Sequence, residues 1–341
     1  MPRQSTKQFA ATSRAAYALY QYLLESVTTG FTAKELILIP DGKIALLPFD
    51  VLLTEPVFLE NVNHQNLPFL IKSKTVRYDH SITSLYKPSR ASSSEVDPVN
   101  VVAFAPSFDQ KPEADQFGPL LWNQDEVRMI SNFFECISIT GHQASEASFR
   151  RYLGSAEIIH IATHAVVDHD RPLESKIVFS SAMEGTQDDG YLHFFELFND
   201  HINADMVVLS ACNTGFGTVQ KGEGVMSLGN AFAYAGVSSV VMSHWQIDDK
   251  STFTLMQEFY RNLAEGISKS EALREAKLSM LSSNEVTYAN PYYWGSFVLY
   301  GQDDPVMNES VNWLAFLIIF LMLMLLIAFV KKKYKKDDNL S

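Results

Sequence analysis

Cysteine is scarce in this chain, with only Cys136 and Cys212 among 341 residues. Two thiols cannot build a disulfide framework or a cysteine-rich metal site. Positive charge is also short, at 27 Lys and Arg against 39 Asp and Glu, for a net charge of −12. No basic stripe crosses the body, so a nucleic-acid backbone finds nothing to bind. The histidines are scattered without HExxH-type spacing, which leaves no metal site. Gly222-Glu223-Gly224 is too short for a nucleotide fingerprint. The N-terminal stretch lacks the apolar core of a signal peptide, and no internal repeat is visible. What remains is ordinary globular composition, 47% hydrophobic and 19% charged. The length allows one large or two smaller domains.

The C-terminal end is different. Residues 313–330 (WLAFLIIFLMLMLLIAFV) are apolar throughout and long enough for a membrane helix. Trp313 supplies an interfacial aromatic, and KKKYKK follows at 331–336. The expected layout is a globular domain over 1–302, a connector at 303–312, a single transmembrane helix at 313–330 and a basic tail at 331–341. The lysines favour a cytoplasmic C-terminus, which would put the body on the far side. The missing leader favours a tail anchor with the body in the cytoplasm, so the side stays open.

Alternating strands and helices predict an α/β fold, a mostly parallel sheet between helical layers. A helix is expected over 9–26 and a buried strand over Glu35–Pro40. Asp41-Gly42 then predicts a hairpin into Lys43–Leu47. Residues 86–98, serine-rich and proline-bounded, read as an exposed linker. Val127, Ile130 and Phe134 mark one amphipathic helix, Phe149 and Leu153 another, and Val225, Leu228 and Phe232 a third over 222–235. Phe253, Met256, Tyr260 and Leu263 mark a fourth, capped by Asp248 or Asp249. Ser268 and Glu271 form a capping box for the next. Further strands are expected at Asn100–Ala105, Lys176–Ser180, Val237–Ser243 and Phe297–Tyr300.

The chemistry concentrates at two strand ends. Met206–Leu209 is a short apolar run, followed by small residues and turn formers around Cys212. A cysteine just past the carboxyl end of a central strand is where open α/β sheets place working groups. It is either a nucleophile or a buried structural cysteine. Cys136, in NFFECISI, reads as plainly buried. About fifty residues before Cys212, the strand EIIHIAT ends at Thr163 and His164 follows. Alternation buries His160, leaving His164 at the wetter strand end, as either a catalytic group or a plain strand-end histidine. Asp248 and Asp249 are either helix caps or a wall of a substrate cleft. Residues 168–190 are a charged loop expected to shape the groove.

Several ordered motifs resemble the CHAT domain, a caspase-like peptidase family related to caspases, metacaspases and separase. They are ILIPDGKIALLPFDVL at 37–52, HIATHAVVD at 160–168, LSACNTG at 209–215, the stretch from Gly222 to Asp249, and FVLYG at 297–301. The resemblance implies a cysteine endopeptidase with His164 as base and Cys212 as nucleophile. The backbone N–H groups of Cys212 and Ala165 would hold the oxyanion, although the family more often has glycine where Ala165 stands. Metacaspases place an aspartate two residues before the nucleophile to receive a basic side chain. Here that place is Ser210, so that preference is not inherited. The resemblance implies a peptide substrate, no cofactor, and regulation by a partner. Tetratricopeptide repeats, which often precede such domains, are absent from this chain and would lie on a partner or a missing N-terminal region. The rival expectation is a catalytically idle, membrane-tethered scaffold.

Overall fold

The computed structural model describes residues 6–57, 63–86, 100–108, 117–168, 170–181, 189–211, 218–220, 224–226 and 228–306. The chain divides into two units, Met1–Met307 and Asn308–Ser341, and the second lies outside the described residues. Among the described residues no helix is long and apolar enough to cross a membrane. The apolar run at 313–330, most of the 86–98 linker and Cys212 all fall outside them.

The strands, in chain order, are β1 (Glu35–Leu38), β2 (Thr75–Tyr78), β3 (Asn100–Pro106), β4 (Glu135–Gly141), β5 (Ile158–Ala162), β6 (Ala165–Val166) and β7 (Lys176–Val178). They continue as β8 (Tyr191–His193), β9 (Met206–Ser210), β10 (Thr218–Gln220), β11 (Gly224–Met226), β12 (Ser239–Ser243) and β13 (Phe297–Gly301). Eight of them form one sheet in the order β1-β2-β13-β12-β9-β5-β3-β4. Every neighbouring pair is parallel except β12 with β13. The sheet is therefore mostly parallel, as the alternation of elements predicts.

Helices cover both faces, and the strands sort their side chains between them with a period of two. Ile158, Ala162, Met206 and Val208 pack on one face, against Val127, Phe259, Leu263 and Ala276. These come from the helices Asn123–Ile130, Asp249–Ala264 and Lys269–Leu281. Ile159, Ile161, Val207 and Leu209 pack on the other face, against Phe149, Phe194 and Phe232. Burying each such side chain stabilises the fold by about 1.5–3 kcal/mol. The central strands read as continuous apolar runs because both of their faces are covered.

Six expectations need correction. The helix at the start is Thr6–Leu23, with a separate turn at Glu25–Thr28. Asp41-Gly42 does not turn a hairpin: Gly42–Leu46 is a 3-10 helix, and β1 pairs in parallel with β2 instead. β1 is also an edge strand whose residues are exposed or half-buried, not a buried one. The helix expected from 222 starts at Leu228, because Gly224–Met226 is a strand paired with β10. Cys136, on edge strand β4, is half-buried rather than enclosed. The Ser268 cap forms, accepting from Glu271 N at 3.4 Å. The Glu271 carboxylate turns instead to Thr75 and Arg274.

Candidate active site

The parallel strands bring the residues beyond their carboxyl ends together. β5 and β9 are neighbours in register, with Ala162 opposite Ser210. Thr163 N donates to Ser210 O at 3.2 Å, and Ser243 Oγ donates to Ala211 O at 2.6 Å. The ends of β5, β9 and β12 thus converge. His164 follows at once from β5, and a small antiparallel sheet, β6-β7-β8, fixes the chain there. Val178 N donates to His164 O at 3.0 Å. His164 and Val178 are therefore a hydrogen-bonded pair, so the next pair, Ala165 with Ile177, is a non-hydrogen-bonded one. By that alternation the Ala165 N–H turns away from β7. Within the expected 168–190 loop, Lys176–Val178 is the strand β7, inside the expected 176–180, and β8 begins just past its end at Tyr191. Residues 169 and 182–188 lie outside the described residues.

His164 is half-buried against two aromatic rings that also touch each other. The Phe108 ring lies 4.8 Å away centroid to centroid, and the Phe117 ring stacks on it at 5.6 Å. Its Nε2 is 2.7 Å from the carbonyl oxygen of Gly118. A carbonyl only accepts, so Nε2 carries the proton of the neutral ring and Nδ1 keeps the basic lone pair. Burial holds the imidazole below its ordinary range, and the Gly118 carbonyl pulls the other way. His160 is fully buried, as expected, with Nδ1 at 3.0 Å from the Tyr260 hydroxyl. Its Nε2 is 3.0 Å from Glu126 Oε1, but out of line for a hydrogen bond, so both atoms lack a hydrogen-bond partner.

A cavity of about 640 Å³ opens beside His164. His164, Ala165, Ser210, Asp248 and Asp249 all line it, so the expected site residues that are described share one cleft. Cys212 lies outside the described residues, one residue past Ala211. Asp248 is the cap of its helix, accepting from Ser251 N at 3.1 Å. Asp249 accepts from Trp122 N at 2.6 Å, tying the helix to the 117–122 segment. Asp248 is thus the helix cap, and both aspartates line the cavity. The sequence reading missed the Gly118 carbonyl, the two phenylalanines and Glu126 on the cleft floor. Glu126 had a signal, an acidic residue in a helix's first turn, but that pattern usually means dipole compensation. Among the described residues no group of three or more His, Cys, Asp and Glu could hold a metal ion.

Comparison with known proteins agrees with this architecture. The family model for the CHAT domain matches residues 13–302. Human tetratricopeptide repeat protein 28 is 25% identical over 310 residues, 81% of this chain and 12% of that protein. The mouse protein of the same name is 25% identical over 224 residues, 57% of this chain and 9% of its own. The chain thus spans only about a tenth of the length of these relatives. Among solved structures, the complex of the pro- and mature domains of Porphyromonas gingivalis RgpB superposes with a TM-score of 0.51 at 10% identity. That match covers 89% of this chain and 69% of the other, and shows the shared fold.

Proposed function

Because this chain belongs to the CHAT domain family, with a caspase-like α/β fold, we propose that it is a cysteine endopeptidase working through His164 and Cys212. The observation that carries the reading is the state of His164. It stands at the end of β5 with Nε2 held by the Gly118 carbonyl, so Nδ1 is the basic nitrogen. The register supports it too. Two residues past the paired positions Ala162 and Ser210 come His164 and Cys212. His164 Nδ1 takes the thiol proton, and the thiolate attacks the peptide carbonyl carbon. The backbone N–H groups of Ala165 and Cys212 receive the oxyanion. The C–N bond breaks, the leaving amine takes the proton from His164, and water hydrolyses the thioester. In this reading the 313–330 segment anchors the enzyme in a membrane. A repeat-containing partner or region would switch it on, in keeping with the repeat proteins the chain resembles.

The test is alkylation of the full chain in detergent by an iodoacetamide probe, followed at each cysteine by mass spectrometry. Cys136 is an internal control, because burial pushes its thiol above the ordinary range. Cys212 should label faster than Cys136, and His164→Ala should slow it by about a hundredfold, the low end of a general base's contribution. Equal, slow labelling of both thiols, unchanged in His164→Ala, would instead favour the idle scaffold.

A further inference from the structure

Carboxylates outnumber cations around the cleft beside His164, where the facing cationic candidate behind the lining is His160, with Nε2 3.0 Å from Glu126 Oε1. Three carboxylates line it at increasing depth: Asp248 exposed at the rim, Asp249 half-buried, and Glu126 on the floor at 1% exposure. Among the described residues lining the cavity there is no lysine or arginine. The bonds that Asp248 and Asp249 make run to backbone N–H groups and a serine hydroxyl, which orient the carboxylates without cancelling their charge. Burial holds the Asp249 carboxyl above the usual carboxylate range, and the charges of Glu126 and Asp248 push the same way.

Ser210 supplies an independent observation. It is 8% exposed, it lines the same cavity, and its Oγ has no hydrogen-bond partner. Alternation along β9 puts it on the face of Met206 and Val208, the face against which the Glu126 helix packs. An unsatisfied hydroxyl in a closely packed interior calls for a hydrogen-bond partner, and its lone pairs can accept from a donor brought in by a ligand. Trp245 and Phe297 provide apolar wall in the cleft, along which the stem of a long cationic side chain can lie.

We propose that this cleft receives an arginine or lysine side chain on the acyl side of the cleaved bond. Asp249 and Glu126 face its charge, and Ser210 accepts one of its N–H groups. The assignment rests on the peptidase reading above and deepens it. It differs from the metacaspase arrangement, because Ser210 here contributes an acceptor and the charge comes from the Asn123–Ile130 and Asp249–Ala264 helices. An acidic side chain would meet three like charges and be rejected.

Two readouts on the full chain in detergent test it. The first uses peptidyl acyloxymethyl ketones that differ only in the side chain next to the warhead, Arg, Lys, Leu or Asp, with Cys212→Ala as the blank. The Arg and Lys probes should label Cys212 faster than the Leu probe by about 30-fold, the effect of a desolvated charge pair. Asp249→Asn should remove most of that ratio, while its amide oxygen still accepts from Trp122 N–H. The second readout needs no catalysis: agmatine binding to Cys212→Ala by calorimetry, weakened about 30-fold by adding Asp249→Asn. Cys212-dependent labelling that favours Leu or Asp, or shows no preference, overturns the cationic pocket and leaves the peptidase standing. Agmatine that fails to bind, or binds equally with Asn at 249, overturns the pocket whatever the labelling shows. No Cys212-dependent labelling by any probe overturns the peptidase, while Asp249-dependent agmatine binding would still uphold the cationic pocket.

Discussion

At the residue scale the decisive group is His164, and its surroundings set a sign that can be measured. The base is the neutral ring. Burial against Phe108 and Phe117 holds its pKa below the ordinary 6.5, so the neutral form persists to lower pH than a solvated histidine would allow. The acid limb of Cys212 alkylation should therefore fall below pH 6.5, as an apparent value for the coupled thiol and imidazole. Phe117→Ala admits water to one face of the ring, relieves the desolvation, and should move that limb upward. A small alkylating reagent is the right probe, because it makes no use of the cleft that Phe117 also lines. An acid limb that stays put in Phe117→Ala would show that burial by that ring does not control the base.

At the element scale, local pattern and distant pairing part company. The strands that hold the site were legible because a buried parallel strand is a continuous apolar run, and β5 and β9 are such runs. The Asp249–Ala264 and Lys269–Leu281 helices were legible from their apolar spacing and caps. The hairpin at Asp41-Gly42 was not a hairpin, because β1 finds its partner some forty residues later in β2, a pairing that no local signal announces. The same holds in the cleft. His164 could be placed by its position after a strand, but Gly118 meets it from a segment 46 residues away through a backbone carbonyl, which carries no residue signature. Gly301, at the end of β13, shows another constraint hidden from composition. It has φ of +95°, and a Cβ there would sit 2.3 Å from Ser238 O. Gly301→Ala should lose about 1–3 kcal/mol in urea unfolding. Gly154→Ala, where φ is ordinary and a Cβ meets open space, should stay within about 0.5 kcal/mol of wild type.

At the scale of the whole domain, the first eighty residues complete the sheet rather than preceding it. β1 and β2 extend it beyond β13, and Asp50 reaches across to pair with Lys277 on the Lys269–Leu281 helix, both nearly fully buried. Removing one partner leaves the other charge uncompensated, so Lys277→Met should destabilise by about 3–5 kcal/mol, and Asp50→Leu beside it should recover much of that. The same charge bears on His244, which ends the approach of β12 to the cleft. His244 Nδ1 is bonded to the Leu46 carbonyl at 3.1 Å, and its Nε2 is buried without a hydrogen-bond partner. Burial first, and the nearby Lys277 charge as well, lower its pKa to about 4, against the pull of the Leu46 carbonyl. The unfolded chain binds that proton near 6.5 and the folded one only near 4, so between those values the unfolded state holds more protons. Stability from this group is therefore full above pH 6.5, falls as the pH drops toward 4, and changes no further below it. Fully developed, the loss is about 3 kcal/mol. Urea unfolding of the full chain at a series of pH values should show that slope in wild type, and His244→Gln should flatten it. Lys277→Met with Asp50→Leu should also make it shallower, because the charge that helps keep His244 neutral is gone. An unchanged slope in His244→Gln would assign the acid sensitivity to the carboxylates instead.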